Sequence, residues 1–501
     1  MRENTDRNSA RADEVGHSAR TVIAPAPDGE VANSSSLRIA RETHDRSSVT
    51  ARRDGAGRGK TRIVVVGGGF GGVQATRQLE RLLGKRADVE ITLVSRDNFF
   101  VLTPLLFEAC SGTLELRHCA QPIRPALRKA EFVEATVDGV DVDRRTVHAT
   151  APDGMTYRLP YDQLVVALGA STNVSLIPGS EHALTFKTMA DALVLRNHLI
   201  ERFERADAAR SPSVRSGCLN VVVIGGGLVG VELLGELTAF AEDVLRYYPR
   251  IRREEVKFHL LEASARILPE VDEKLAADAV RVLRRRGADI RASTPVRSIE
   301  PGLVHTANET IEASTIVLAA GITPSAVAAR IPVEHDRRGR IAVDASMRSK
   351  SHPEVWAIGD CAEIPGPDGR PYPALAQHAT REGRHVANNV AASIEGRAVT
   401  PFVFRMLGTM ASLGHSRAVA QILGVRVTGF PAWWVRRTYY LLQMPRWDRR
   451  LRVVLDWTVA LFFRPDITKV DLDVEPARLY RSTGASAAQA PGVERQAVAG
   501  R

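Results

Sequence analysis

Two glycine-rich turns decide most of what this chain can fold into. The first is Val66-Gly67-Gly68-Gly69-Phe70-Gly71-Gly72 and the second is Ile224-Gly225-Gly226-Gly227-Leu228-Val229-Gly230. Each follows a short β-branched run, residues 62–66 and 219–224, of the kind buried on both faces of a parallel sheet. Each precedes a stretch with helical periodicity, the first covering residues 71–83. A second strand follows at 90–95 and at 256–261, which places both turns inside βαβ units. Further strand-like runs at 164–167, 315–319 and 355–358 stop at or just before glycine. The alternation predicts an α/β fold with two doubly wound, Rossmann-like domains.

Gly67, Gly69 and Gly72 match a G-x-G-x-x-G spacing, and so do Gly225, Gly227 and Gly230. The first glycine allows the tight turn, the second lets a pyrophosphate approach the backbone, and the third lets helix and strand pack closely. The helix N-terminus adds N–H donors and a partial positive charge. One such turn also arises for structural reasons alone. Two, each between a strand and a helix, imply two dinucleotides, and the usual pair is a tightly held flavin (FAD) and an exchangeable nicotinamide. The strand after the second turn ends in Glu262. A carboxylate there suits the ribose hydroxyls of adenosine and repels a 2′-phosphate, which favours NADH. Arg266 nearby works against that preference. The corresponding residue after the first turn is Ser95, which offers one weaker hydrogen bond.

Composition narrows the class. Four cysteines, Cys110, Cys119, Cys218 and Cys361, are too few for a disulfide framework and form no CxxC pair. No ligand spacing points to a metal. Disulfide reductases of related architecture carry a CxxxxC pair in the first helix, and residues 71–83 contain no cysteine, which excludes a dithiol relay. The formal net charge of +10 suits an anionic membrane surface or nucleic acid, or is simply a solvated basic surface. No nucleic-acid motif accompanies it, and nucleic acid is not expected as a partner. No apolar run reaches the length of a transmembrane helix, and the first 60 residues lack the apolar core of a secretory signal.

With both turns placed, residues 62–470 resemble the type II NADH dehydrogenases, the single-subunit NADH:quinone oxidoreductases among flavoproteins with two dinucleotide domains. The resemblance rests on residues 98–107 (Asn98-Phe99-Phe100 through Phe107), Gln121-Pro122-Ile123-Arg124, Ala167-Leu168-Gly169, Gly230-Val231-Glu232-Leu233, Ala320-Gly321, Ala357-Ile358-Gly359-Asp360 and Ala376-Gln377-His378-Ala379. It implies hydride transfer from NADH to FAD, then electron transfer to a membrane quinone without proton pumping. It also implies a flavin site of Gly67, Gly69, Phe70, Gly72, Ser95, Arg96, Val137, Ala167, Gly169, Asp360, Ala376 and Gln377. The NADH site is implied to comprise Gly225, Gly227, Gly230, Glu262, Ala320 and Gly321, with Glu232 and Gln377 as the catalytic pair. From the residues alone, Asp360 is also readable as a helix cap, Glu232 as a first-turn acid, and Gln377 with His378 as core-facing polar groups. The chain departs from the family at Arg381 and Glu382, where many members carry glutamine, and at Leu407, where a lysine is expected. An NADH-dependent reductase of a soluble carrier such as a ferredoxin or rubredoxin is the alternative enzyme, and a flavin-binding regulator the alternative outside catalysis.

The expected organisation is a disordered tail (1–60), a flavin domain in two parts (61–180 and 331–395), an NADH domain (181–330), a C-terminal membrane-associating extension (396–480) and a second tail (481–501). The extension mixes aromatics with arginines, as in Trp433-Trp434-Val435-Arg436-Arg437. Further on, Leu451, Val454, Leu455 and Thr458 share a helical face, with Arg449, Arg452 and Asp456 on another. Basic, aromatic and too short to span, it reads as an interfacial anchor or as a hairpin packed on the protein's own core or on a dimer partner. The expected location is peripheral, on the cytoplasmic face of the inner (plasma) membrane, with a homodimer as an open option.

Overall fold

The computed structural model describes residues 59–470 except 445 and 464. The expected tails, apart from residues 59 and 60, lie outside the described residues. Along the chain come β1 (Thr61–Val66), α1 (Phe70–Leu83), β2 (Val89–Ser95), α2 (Leu106–Cys110), β3 (Glu131–Glu134) and β4 (Gln163–Val166). Then follow β5 (Leu184–Thr185), α3 (Met189–Ala208), β6 (Asn220–Ile224), α4 (Leu228–Val244), β7 (Lys257–Leu261), α5 (Glu273–Arg285), β8 (Ala288–Arg291) and β9 (Thr315–Leu318). The chain continues through β10 (Val355–Ala357) and α6 (Ala376–Ile394). It ends in β11 (Gly408–Ser412), β12 (Ala418–Ile422), β13 (Val425–Thr428), α7 (Gly429–Gln443) and α8 (Trp447–Phe462).

Two parallel five-stranded sheets result, in the orders β10-β4-β1-β2-β3 and β5-β9-β6-β7-β8. Both are buried on both faces, as their valine- and isoleucine-rich strands require. In each sheet the strand feeding the glycine turn is central, flanked on one side by the next strand and on the other by a strand returning from far along the chain. This is the switch point at which doubly wound sheets bind ligands. The chain leaves the first sheet after β4 and rejoins it with β10.

Sequence patterning missed the antiparallel parts. Strands Thr136–Asp141, Thr146–Thr150 and Thr156–Pro160 form a small sheet between β3 and β4. The C-terminal extension, read as helical, begins with the antiparallel sheet β11-β12-β13, on which α7 packs. Its strands are too short and too mixed in polarity to announce themselves. The face assignment on α8 also changes. Leu451, Val454, Leu455 and Val459 are exposed, whereas Val453 is buried and Asp456 points inward, accepting the Glu115 N–H at 3.2 Å and contacting His118. Asp456 therefore belongs to the docking side of α8, not to a solvated face.

Candidate functional site

The first turn is shaped to leave room for a phosphate. Gly67 has φ +107°, and a Cβ on Gly72 would lie 1.8 Å from the Gly67 carbonyl oxygen, so neither position accepts a side chain. Around Gly69 the space is open. Here α1 begins with no side-chain cap and no acid in its first turn. Its leading N–H groups thus face open space beside a positive dipole end, which fits a dinucleotide pyrophosphate. Ala167 lies against Gly67, while Ile358 and Ala379 lie against Gly71, so β4, the turn after β10, and α6 all converge on this loop. Gly169, at φ +65°, again borders open space.

The other residues that the resemblance assigns to a flavin site take distinct places. Ser95 is buried beneath the loop, its Oγ 2.3 Å from where a Gly68 Cβ would stand. Arg96 is exposed and paired with Asp97 at 3.0 Å. Val137 is buried in the small antiparallel sheet, and Phe70 packs edge-on against Phe100. Asp360 sits in the turn Gly359–Cys361, with Lys187 Nζ 3.9 Å from its carboxylate. Burial lowers the Lys187 pKa, and the charge of Asp360 opposes that. Glu382 is buried and accepts the Gly359 N–H at 2.8 Å, bracing the turn from behind. Burial pushes Glu382 up to about 7, against the Gly359 hydrogen bond and with help from Asp360. Ala376 and Gln377 open α6. Gln377 Nε2 donates to the Gly408 carbonyl at 3.1 Å, and Arg381 donates to the Gln377 carbonyl at 2.9 Å.

The second turn repeats the geometry. Gly225 has φ +112°, a Cβ on Gly230 would lie 1.8 Å from the Gly225 oxygen, and α4 also starts uncapped with no acid in its first turn. Ala320 borders Gly225, and Gly321 follows at φ +71°. Glu262 stands at the end of β7 and accepts N–H groups from Gly226 (2.5 Å) and Ser264 (2.7 Å). Partial burial raises its pKa, but hydrogen bonds from Ser264, Gly226 and Ala263 outweigh this and hold it below the usual value. Arg266 donates to the carbonyls of Leu268, Pro269 and Val271. Its guanidinium is committed to its own loop, which removes the expected counterweight to Glu262.

Glu232 is not a first-turn acid. It lies in the second turn of α4 and is buried, together with Glu236 one turn on. Its carboxylate accepts the Ser412 N–H at 2.8 Å and Arg436 Nε at 2.9 Å. Arg436, on α7, is fully buried and also donates to Glu108 on α2 (3.1 Å) and to the Pro104 carbonyl (2.7 Å). Arg437 and the Trp457 indole reach the second Glu108 oxygen at 3.0 and 2.8 Å. Glu236 is held by the hydroxyls of Ser412 (2.9 Å) and Ser111 (3.1 Å). Burial lowers the Arg436 pKa, but Glu232 and Glu108 more than reverse this and keep it charged. Burial raises Glu236, and the Glu108 charge raises it further. Helices α2 and α4, strand β11 and helices α7 and α8 thus meet in one buried ionic cluster.

Sequence reasoning missed Glu108, Glu236, Ser412 and Lys187, and read Arg436 as an interfacial charge. The one available signal was Glu108, a single acid inside the apolar run Leu105-Leu106-Phe107-Glu108-Ala109-Cys110. The four cysteines are free and buried. Burial holds Cys110 and Cys361 up at about 12, which leaves little thiolate.

Two uncapped glycine turns on two parallel sheets, with no accessible thiol pair, define a flavin- and nicotinamide-binding reductase. The sequence matches the family model described as pyridine nucleotide-disulphide oxidoreductase over residues 61–383, and that of the NDH2 C-terminal domain over 406–466. It is 30% identical to a type II NADH:quinone oxidoreductase of Mycobacterium tuberculosis over 80% of this chain and 88% of that one. It is also 30% identical to one of Staphylococcus saprophyticus over 75% of this chain and 94% of that one. The fold matches a solved NDH2 of Plasmodium falciparum in complex with NADH, with TM-score 0.75 at 20% identity, covering 82% of this chain and all of that one. The chain belongs to the pyridine nucleotide-disulphide oxidoreductases and, among them, to the type II NADH:quinone oxidoreductases.

Proposed function

We infer that this chain takes hydride from NADH onto FAD and passes the electrons to a quinone, without pumping protons. The reading is carried by the two open, uncapped glycine turns occurring in one chain with a C-terminal domain that exposes apolar helices. FAD, when bound, supplies the hydride-accepting chemistry. The chain's own residues bind and orient. The α1 N-terminus and Gly69 would hold the flavin pyrophosphate, with Asp360 and Lys187 beside its polar chain and Ala376 and Gln377 at the flavin-facing start of α6. The α4 N-terminus and Glu262 would hold NADH. Glu232 acts through position: it fixes α4 against β11 and α7. Gln377 ties the start of α6 to β11 through Gly408.

The same reading places α7 and α8 on a membrane surface. Phe430, Trp434, Trp447, Leu455, Val459 and Phe462 are all exposed. Among the described residues no helix is long and apolar enough to cross a membrane. Apolar residues beside basic ones suit an anionic interface, on the cytoplasmic face where NADH is present. A homodimer is part of this reading and is tested by sedimentation in detergent.

Anaerobic addition of NADH to the purified yellow protein should bleach the flavin, and a short-chain quinone should restore the colour. Bleaching that is reversed only by an oxidised soluble carrier such as a ferredoxin, and not by the quinone, would refute quinone as the acceptor.

A further inference from the structure

Away from both dinucleotide turns, an open groove of about 170 Å³ runs between the C-terminal end of α5, the loop joining β11 to β12, and the β13–α7 junction at Thr428 and Gly429. Arg281, Arg285 and Arg417 line it, against a single carboxylate, Asp278. Asp278 is already paired with Arg281 at 2.8 Å. Arg285 and Arg417 are exposed, and neither pairs with a carboxylate among the described residues.

The concentration of charge is built in. Arg286 reaches across to the Leu413 carbonyl and, at 3.1 Å, to the Gly414 carbonyl, which fastens the β11–β12 loop to the end of α5. That fastening holds Arg417 on the same groove as Arg285. Basic residues at the end of α5 are favoured by the helix dipole alone. The dipole gives no reason for Arg417, on a different element, to be held with them. Three guanidinium groups around one neutralised acid form a site complementary to a doubly coordinated anion, and guanidinium pairs match phosphate geometry.

The position of the groove says which anion. Gly429 starts α7, and the next residue is the exposed Phe430. Leu423 and Val425, on the hairpin between β12 and β13, are also exposed. A bilayer entered by Phe430 would bring its headgroup layer close to the groove that Gly429 lines, while Leu423 and Val425 lie at the opposite end of β12 from Arg417.

We propose that this groove binds the phosphate of an anionic phospholipid, with Arg285 and Arg417 as the phosphate-reading pair. The proposal rests on the reading of α7 and α8 as the membrane face. It adds to that reading a preference for anionic lipid that comes from one groove rather than from net charge.

The test is vesicle sedimentation of the full chain. One set of vesicles is pure phosphatidylcholine, and the other contains about 30 mol% phosphatidylglycerol. The R285Q/R417Q variant should lose about thirtyfold in affinity for the anionic vesicles, as expected for two surface charges, and bind neutral vesicles unchanged. A control variant of equal charge, R337Q/R338Q, altered in an exposed loop of the flavin domain, should keep the anionic preference. Equal losses in both variants would overturn the groove in favour of diffuse charge, and so would no loss in R285Q/R417Q. Inorganic phosphate that thermally stabilises the wild type but not R285Q/R417Q, with no vesicle difference between them, would overturn the lipid as occupant in favour of a free anion. The L455S/F462S variant separates the two levels: if it still binds neutral vesicles as the wild type does, the membrane-face reading fails, whatever the groove does. NADH oxidation with a water-soluble quinone, unchanged in R285Q/R417Q, confirms that the variant is folded.

Discussion

Replacing Arg436 with methionine removes the centre of the buried cluster while nearly preserving its volume. The consequences fall unevenly on the two partners. Glu108 keeps Arg437 and the Trp457 indole. Among the described residues Glu232 keeps only the Ser412 N–H. Breaking a buried pair from one side costs about 3–5 kcal/mol, because the remaining charge has lost both water and partner. Glu232 has one way out, which is to take up a proton. Burial already raises its pKa, and removal of Arg436 removes the strongest opposing influence. A carboxylate whose folded pKa lies above its unfolded value of about 4.3 binds more protons when folded. Its contribution is favourable at low pH and is lost as pH rises toward the folded value. The R436M deficit should therefore be small at about pH 5 and approach its full size at about pH 8.

Urea unfolding of the purified protein at both pH values measures this. The double variant E232Q/R436M should recover more than half of the loss at the higher pH, since position 232 then carries no buried charge left without its arginine. A deficit under about 1 kcal/mol at pH 8, or one equal at both pH values, would falsify the account of the cluster as charge-compensated.

Glu382→Gln should gain stability over the wild type as pH rises from about 5 to 8, by up to about 3 kcal/mol, because it removes a carboxyl displaced from 4.5 to about 7 by burial while leaving an acceptor for Gly359; pH-dependent melting checks it. Glu262→Ala should raise the KM for NADH about tenfold and narrow the gap to NADPH, measured by steady-state kinetics, since Arg266 is committed to carbonyls and cannot take over either role. Gly72→Ala should yield protein without bound flavin, seen by absorbance, because the added methyl would meet the Gly67 oxygen at 1.8 Å. Asp456→Asn should loosen α8, which a faster proteolytic cut near residue 445 would reveal, because it weakens the contacts to His118 and Glu115.

The parallel sheets were legible because their information is local. A β-branched run, a glycine turn and a helix register lie within about 25 residues of one another, and burial on both faces leaves a continuous apolar signature. The turn glycines and Glu262 were legible for the same reason. Ser95 was legible only as the lack of an acid, and its place beneath Gly68 depends on how β2 lies against the loop. The ionic cluster was not legible. Glu108, Glu232 and Arg436 come from three separate parts of the chain, and each alone fits an ordinary description: a lone acid, a helix acid, an interfacial arginine. Only tertiary proximity turns them into one unit. The same limit explains Arg266, whose three carbonyl partners are set by a loop conformation that no spacing rule reports.

The cluster also accounts for how the C-terminal domain is held in register with the cofactor sites. Strand β11 begins at Gly408, whose carbonyl takes the Gln377 amide at the start of α6, and ends at Ser412, whose N–H meets Glu232 on α4. One short strand therefore bridges α6 and α4, the helix that starts at the second glycine turn. Arg436 locks α7 to the Ser412 end of that strand, and Glu108 ties in the segment that follows β2 of the flavin sheet. A helix bound only by apolar contacts could slide by a fraction of a turn at little cost. A fully buried guanidinium with three fixed acceptors, Glu232, Glu108 and the Pro104 carbonyl, cannot, because any shift leaves a charge unpaired. On this argument the charged core is placed where register matters, between the face that would meet the quinone and the two turns that would hold the cofactors. Substituting the whole cluster with apolar residues of equal volume should then preserve stability while lowering quinone reduction more than flavin reduction by NADH, and equal losses in both half-reactions would show that register is held elsewhere.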